Sequence, residues 1–323
     1  MTYSKSLQGR FVSSRFTPLV LLGVSVLIWL VATLFGRPVN DVSLFGLQLG
    51  NVVSRCITFA CFVVATAMLS SWHLFDRRIR WLLPLVFFLP SASLSVHGCV
   101  EQAFSLLFLL VVIYRLFYCS QGADNRYALF AAFVIFGIAM MLFPPFILLL
   151  LPLVLYIIMM SLAGVRELMS ILLGLLTPYW FLFGIDYIFP GISGLGELFF
   201  APFVYLCSAT FRLPPLQNIL VVAAELLVLV PFVVLFANSS TPAKPLLRKR
   251  LHFFALLEAY LLALSLLYSH DFLFYYIWSI PFTGIMLAYI FSLNITKFTR
   301  FYFVVINIVW ITVASSEIWL RLL

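Results

Sequence analysis

The chain has 323 residues, of which 64% are hydrophobic and 9% are charged, whereas soluble domains carry about 25% charged residues. Because so few polar side chains cannot cover the apolar ones, the composition excludes a soluble globular protein. The net charge is +8 at pH 7. This positive charge follows the pattern expected from membrane topology, and it does not indicate a nucleic-acid partner.

The apolar runs predict an all-α, polytopic transmembrane bundle of about eleven helices, forming a single integral membrane domain over residues 1–323. Each run can cross roughly 25–30 Å of hydrocarbon at about 1.5 Å per residue. In chain order, the predicted helices cover residues 17–35, 52–71, 81–97, 99–118, 126–143, 145–162, 167–188, 216–236, 251–268, 272–293 and 301–320.

Three of these segments carry further signals. The first run, 17–35, is too long for the apolar region of a signal peptide, so it is predicted to be a retained anchor. The third helix contains Pro84 and Pro90 and is predicted to be kinked and to face protein. Pro144 and Pro145 divide an apolar stretch that is too long for one span, which predicts a tight helical hairpin.

The basic residues predict the orientation. With eleven spans and a cytoplasmic N-terminus, 15 of the 19 Lys and Arg residues fall on the cytoplasmic side. This asymmetry follows the positive-inside rule and places the C-terminus outside the cytoplasm. The chain is therefore predicted to be a multi-pass protein of the inner (plasma) membrane. The longest outer connection, 189–215, contains an apolar stretch suited to lying in the membrane interface.

Sequence motifs predict no cofactor and no metal site. The five cysteines are scattered, and they form neither a CxxC motif nor a cluster with histidines. The sequence has no P-loop, no GxGxxG, no HExxH and no GxSxG. The missing glycine-rich phosphate cradles argue against direct use of ATP.

Two carboxylates are predicted to lie inside membrane spans, Glu225 in the eighth helix and Glu258 in the ninth. Charged groups in a bilayer are costly, so these residues are candidates for a proton relay or for ion coordination. Counted from the loop between the helices, Glu225 lies about 16 Å deep and Glu258 about 10 Å deep. Alternatively, each is simply protonated or hydrogen-bonds a polar neighbour such as Tyr260 or Asn218.

A second group of titratable residues falls where the chain enters or leaves the membrane on its predicted outer side. If these residues converge, they form an outward-facing pocket in which arginines hold a lipid phosphate and a carboxylate acts as general base. Alternatively, they are separate solvated charges. The predicted substrate-binding residues of this outer group are Arg37, Arg55, His97, Glu101, Asp186, Arg212, His270 and Asp271, with Asp41 beside them.

The middle third of the chain carries a run of motifs in a fixed order. They are Phe143-Pro144-Pro145, Val165-Arg166-Glu167-Leu168 and Gly174-Leu175-Leu176-Thr177-Pro178-Tyr179, preceded by the apolar stretch Leu107 to Arg115. In these motifs the chain resembles an uncharacterised family of polytopic inner-membrane proteins of the Bacteroidota. The resemblance implies a membrane-helix fold and no particular activity.

A looser similarity is to the GT-C membrane glycosyltransferases, which use polyprenyl-phosphate sugars outside the cytoplasm. Those enzymes also have many helices, a cytoplasmic N-terminus, an acidic residue in the first outer loop and a later amphipathic outer segment. The resemblance implies Asp41 as the catalytic base and a polyprenyl-phosphate lipid as partner. The chain departs from the family in its short first outer loop and in the pair Asn40-Asp41, where the family has two carboxylates.

Three functions are compatible with these observations. The leading hypothesis is GT-C-like handling of a lipid-linked envelope substrate at the outer face. The first alternative is a transporter or flippase that uses Glu225 and Glu258. The second alternative is a non-catalytic membrane subunit of an envelope assembly.

Overall fold

The structure is a computed structural model that describes residues 14, 16–35, 43–44, 47–72, 85–119, 125–162, 164–189, 195–208, 214–238, 245–292 and 297–322. Within these ranges the chain forms twelve α-helices, three 3₁₀ segments and one hairpin of two-residue strands. This composition confirms the predicted all-α helical bundle.

The elements follow one another with short connections. The hairpin pairs β1 (Ser43–Leu44) with β2 (Leu47–Gln48) in antiparallel register. The 3₁₀ segments are Leu94–Val96, Pro144–Leu149 and Ser269–Asp271. The helices are α1 (Thr17–Phe35), α2 (Asn51–Ser71), α3 (Leu85–Ala92), α4 (Val100–Cys119), α5 (Asn125–Leu142), α6 (Leu150–Met159), α7 (Val165–Ile188), α8 (Leu195–Ser208), α9 (Leu216–Asn238), α10 (Pro245–Leu267), α11 (Phe272–Ser292) and α12 (Lys297–Leu322).

Eight helices of the described part are long and apolar enough to cross a membrane, namely α1, α2, α4, α5, α7, α9, α10 and α11. The protein is therefore a multi-pass membrane protein. Three shorter apolar helical stretches, at Pro144–Met159, Gly196–Ser208 and Phe298–Trp310, accompany them. Pro144–Met159 overlaps the predicted span 145–162, and Phe298–Trp310 overlaps the predicted span 301–320.

The predicted third and ninth helices differ from the observed ones. Helix α3 ends at Ala92 and is followed by a 3₁₀ turn, so the described part of 81–97 is not one continuous helix. Its side chains Val86, Leu89 and Ser91 are at most 2% exposed, which confirms that this segment faces protein. Helix α10 begins at Pro245 and not at residue 251, because proline is well suited to the first turn of a helix.

The chain packs as two compact units. The first comprises Met1–Phe104, Arg212–Pro242 and Glu258–Leu323, and the second comprises Ser105–Phe211 and Ala243–Leu257. Helices α4 and α10 therefore contribute residues to both units.

Helix α11 forms the core of the first unit. Every side chain from Tyr275 to Phe291 is buried, and the helix carries no charged residue. Such a helix, apolar on all sides, is expected at the centre of a bundle. Helices α3 and α9 pack directly against it. Helix α3 approaches closely at Gly284, where an added Cβ would lie 2.5 Å from Val86 Cγ2 and 3.0 Å from Val86 Cα.

In the second unit, helices α5 and α7 pack through two glycines. A Cβ added to Gly174 would lie 2.6 Å from the carbonyl oxygen of Phe130, and one added to Gly137 would lie 3.0 Å from that of Leu175. Small residues at such crossings let the backbones of membrane helices approach closely. Helix α8 packs against α5, α7 and the 3₁₀ segment at Pro144–Leu149.

A buried arginine closes the end of α4 in the same unit. Arg250 is 3% exposed, and its Nη2 donates a hydrogen bond of 2.6 Å to the carbonyl oxygen of Phe117. Its guanidinium carbon also lies 5.0 Å from the centroid of the Phe117 ring. A cation at a helix C-terminus satisfies a free carbonyl and interacts favourably with the helix dipole.

Candidate functional site

Glu225 and Glu258 lie at the same distance from the ends of their helices. Helix α9 ends at Asn238 and α10 begins at Pro245, so each carboxylate lies thirteen residues from the end that borders the connection between the two helices. At 1.5 Å per residue this is about 20 Å for both. The sequence predicts unequal depths of about 16 Å and 10 Å because its apolar run begins at residue 251, whereas residues 245–250 are helical in the structure.

One threonine of α11 lies beside both glutamates. The Thr283 hydroxyl donates a hydrogen bond of 2.7 Å to Glu258 Oε1 and lies 3.5 Å from Glu225 Oε1. One turn earlier on the same helix, Ser279 Oγ lies 2.7 Å from Glu225 Oε1. Residues four apart share a helix face, so α11 presents two hydroxyls to the two carboxylates. We call Glu225, Glu258, Ser279 and Thr283 the carboxylate site.

The carboxylate site is enclosed. Glu225, Glu258 and Thr283 are each 1% exposed and Ser279 is 0% exposed. Glu258 Oε2 has no hydrogen-bond partner among the residues that the structure describes. Burying two carboxyl groups together is costly unless protons or a cation compensate their charges. The site therefore has the chemistry of a place that binds a positive charge.

A proline interrupts the backbone hydrogen bonds between the two hydroxyls. Pro281 lies within α11 between Ser279 and Thr283. It has no N–H to donate to the carbonyl of Ile277, so this turn has one helical hydrogen bond fewer. Membrane helices tolerate such interruptions where neighbouring side chains or helices compensate.

Two of the predicted outer residues are buried in the first unit. Arg55 of α2 is 2% exposed and His97, after the 3₁₀ segment Leu94–Val96, is 4% exposed. The His97 ring stacks on Trp29 with centroids 3.7 Å apart and planes 11° apart. Trp29 Nε1 in turn donates a hydrogen bond of 2.9 Å to Ser91 Oγ. His97 is thus held by packing against an aromatic side chain of α1.

The other described members of the outer group are more exposed. Glu101 is half-buried in the first turn of α4. His270 is exposed and Asp271 is half-buried, both in the 3₁₀ segment before α11. Asp186 of α7 is exposed, in the second unit.

Asp186 borders an open pocket of about 370 Å³ between α7 and α8, lined also by Leu182, Phe183, Gly196, Phe199 and Phe200. Arg37, Asp41 and Arg212 lie outside the described residues. Convergence of the outer group, and with it a role for Asp41 as base, stays a prediction.

Comparisons of the chain with protein-family models, with curated proteins and with solved structures found no match. The resemblances to a Bacteroidota family and to GT-C glycosyltransferases therefore stay predictions. Among the described residues, no group of three or more His, Cys, Asp or Glu side chains is arranged to hold a metal ion. The carboxylate site is the arrangement on which a functional proposal can be built.

The sequence pattern predicts the two glutamates of this site but not the two hydroxyls. Ser279 and Thr283 are single small polar residues within an apolar helix, and such residues often bond only to their own backbone. Their i, i+4 spacing on either side of Pro281 is the one feature of the sequence that could indicate them, because it places both hydroxyls on one face of an interrupted helix.

Proposed function

We propose that the protein is an ion-translocating membrane transporter in which Glu225 and Glu258 form the ion site. The observation that supports this is that both carboxylates lie beside one hydroxyl of α11. Thr283 Oγ1 is 3.5 Å from Glu225 Oε1 of α9 and 2.7 Å from Glu258 Oε1 of α10. Intramembrane carboxylates are costly, and in membrane proteins they commonly serve ion pathways and proton relays. Among the three hypotheses from the sequence, this one uses residues that lie together.

The chemistry of the site suits a small cation. Carboxylate and hydroxyl oxygens are hard ligands that bind protons or hard metal cations. Neither α9 nor α11 carries a Lys, Arg or His. The basic residues of α10 all lie in its first eight residues, at least six positions before Glu258. An incoming cation would neutralise the carboxyl groups, and its departure would restore the repulsion between the carboxylates.

Transport also requires a second arrangement of the helices. Helix α9 contains Pro231 and α11 contains Pro281. A proline weakens the hydrogen-bond ladder of a helix at one turn, where the helix can bend. Pro281 lies between the two hydroxyls of the carboxylate site, so bending there would change the oxygens available to the ion.

We further propose that the protein resides in the inner (plasma) membrane with its N-terminus in the cytoplasm. The support for this orientation is the distribution of 15 of its 19 basic residues on one side of the predicted topology. In this orientation the connection between α9 and α10 is cytoplasmic.

The proposal is tested by recording charge movement on solid-supported membranes. The full-length protein is reconstituted in liposomes, and the bath is stepped in proton, sodium or potassium concentration. A step in the bound ion should give a transient current in the wild type, because binding inside the membrane moves charge even without turnover. Glu225→Gln and Glu258→Gln should each lose this current, since the amide keeps the shape and removes the charge.

The matched control is Glu197→Gln, which changes an exposed glutamate in the first turn of α8 and should keep the wild-type current. An undiminished current in the Glu225→Gln/Glu258→Gln double variant would refute the proposal. So would the absence of any ion-dependent current in the folded wild type.

A further inference from the structure

The hydroxyl of Ser279 lies at hydrogen-bond distance from two oxygens. Its Oγ is 2.7 Å from Glu225 Oε1 and 2.6 Å from the carbonyl oxygen of Tyr276. Both separations fall within the range of O–H···O hydrogen bonds, about 2.5–3.0 Å. A serine has one hydroxyl proton, so it can donate to only one of these two oxygens.

The second short contact needs a proton from elsewhere. A carbonyl oxygen carries no proton, so the Tyr276 carbonyl can only accept. Glu225 Oε1 can be a donor, provided that its carboxyl group is protonated. The arrangement that gives both contacts a proton is therefore Glu225 Oε1–H donating to Ser279 Oγ, while the Ser279 hydroxyl donates to the Tyr276 carbonyl.

The same count of protons against short contacts leaves Glu258 Oε1 as a hydrogen-bond acceptor. The Thr283 hydroxyl lies 2.7 Å from Glu258 Oε1 and 3.5 Å from Glu225 Oε1, and the longer distance is outside the usual range. One proton on Thr283 therefore satisfies its one short contact. Glu258 Oε2, which has no hydrogen-bond partner in the described part of the chain, is the oxygen of the site that remains able to take up another proton.

We infer that the ion of the carboxylate site is a proton, carried on Glu225 and donated in a hydrogen bond to Ser279 Oγ. This inference rests on the proposed function in that it names the ion which the two glutamates move. When the proton passes to a water molecule, the O–H bond of Glu225 breaks, its electron pair stays on Oε1 and hydronium forms. The Ser279 hydroxyl then turns from the Tyr276 carbonyl to Glu225 Oε1, so no other bond changes.

Protons also lower the cost of burying the two carboxyl groups, because each bound proton removes one negative charge from the pair. With one proton the pair carries one negative charge, and with a second proton on Glu258 Oε2 it is neutral. A neutral pair is the least costly state inside a bilayer. Release and return of the Glu225 proton would move one charge per cycle without a basic side chain at the site.

The other charged or titratable residues of the helices around this pair, apart from tyrosines, lie towards the helix ends. Helices α3 and α11 carry no Asp, Glu, Lys, Arg or His, and Glu225 is the one such residue of α9. Helix α10 carries Arg248, Lys249, Arg250 and His252 in its first eight residues, and α12 carries Lys297, Arg300, Glu317 and Arg321 near its two ends. The phenol of Tyr302 on α12 donates a hydrogen bond of 3.0 Å to the carbonyl oxygen of Leu227. Phenols ordinarily stay protonated at neutral pH. The tyrosines of these helices are Tyr260, Tyr275, Tyr276, Tyr289 and Tyr302.

The test is infrared difference spectroscopy of the full-length protein in lipid vesicles, recorded between a low and a high pH. A protonated carboxyl group has a C=O band that is lost on deprotonation and shifts in D2O. We expect such a band in the wild type, its retention in Glu258→Gln and its loss in Glu225→Gln. Sodium chloride, exchanged for an organic-cation chloride at constant pH, should leave the band unchanged.

Ser279→Ala provides a signature of the hydrogen bond itself. Removing the acceptor frees the Glu225 O–H, so the C=O band should move to higher frequency. The matched control is Ser265→Ala on α10, because Ser265 is also buried and donates to a carbonyl three residues earlier, that of Leu262, at 2.8 Å. That variant should leave the band in place, and circular dichroism checks that both variants fold.

Three outcomes would overturn the inference: no band in the folded wild type, a band removed by sodium at constant pH, or a band lost in Glu258→Gln but kept in Glu225→Gln. The current measurement distinguishes a failure of the proton inference from a failure of the proposed transport function. A sodium-dependent current without the carboxyl band would contradict the proton and keep the transporter. A carboxyl band without any current would keep the proton site and contradict the transporter.

Discussion

Replacement of Thr283 by valine tests the carboxylate site most directly, because valine keeps the shape of threonine and removes only the hydroxyl. The variant deprives Glu258 Oε1 of its 2.7 Å donor, while Glu258 is 1% exposed. Interhelical hydrogen bonds in membranes contribute about 0.6 kcal/mol on average and up to about 1.7 kcal/mol. Leaving a buried acceptor unsatisfied costs about 1–3 kcal/mol. We therefore expect Thr283→Val to lower the free energy of unfolding by about 1–2 kcal/mol.

The assay is equilibrium unfolding by sodium dodecyl sulfate in mixed micelles, followed by circular dichroism. Thr58→Val is the matched control, since Thr58 is equally buried but bonds to its own helix, at the carbonyl of Ser54; it should change stability by less than about 0.5 kcal/mol. In Thr283→Val/Glu258→Met, both partners become apolar, which is close to neutral for a buried pair. Additivity of the two single variants to within about 0.5 kcal/mol would refute the contact.

Two further predictions concern the packing of the second unit, with stability measured in the same way. Gly174→Ala should destabilise the protein by about 1–3 kcal/mol through overpacking, because its new Cβ would meet a backbone oxygen at 2.6 Å. Gly184→Ala on the same helix has open space and should be neutral or stabilising by up to about 1 kcal/mol; equal effects would contradict the α5–α7 crossing. Arg250→Met should cost about 1.5–3 kcal/mol, as the charged hydrogen bond to Phe117 is lost. Lys249→Met, at an exposed neighbour, should have little effect, and similar losses in both variants would argue against the cap on α4.

Much of the fold could be predicted from apolar run length, because a membrane span must satisfy its backbone hydrogen bonds within one continuous helix. The prediction 272–293 is close to α11 at Phe272–Ser292, and 99–118 is close to α4 at Val100–Cys119. Run length failed where polar or proline residues begin a helix. The basic stretch of α10 resembled a loop, yet it is helical and includes the buried Arg250.

The carboxylate site was half predictable. Glu225 and Glu258 are conspicuous in a sequence because charges are rare within spans. Their meeting at Thr283 depends on the packing of α9, α10 and α11, which hydropathy does not encode. The sequence predicts unequal depths for the two glutamates, and the early start of α10 at Pro245 removes that difference.

The close approach of α3 to α11 has a consequence for how the sequence can vary. Since a Cβ at position 284 would lie 2.5 Å from Val86 Cγ2, side-chain volume at position 284 is limited by the residue at position 86. A larger residue at 284 also needs a shift of the α3 backbone, because its Cβ would lie 3.0 Å from Val86 Cα and 3.1 Å from Val86 N. Glycine should therefore persist at 284 even when position 86 loses its branch. Gly284 follows Thr283 directly in the chain. The contact with Val86, which has no polar side-chain atom, therefore lies next to the carboxylate site.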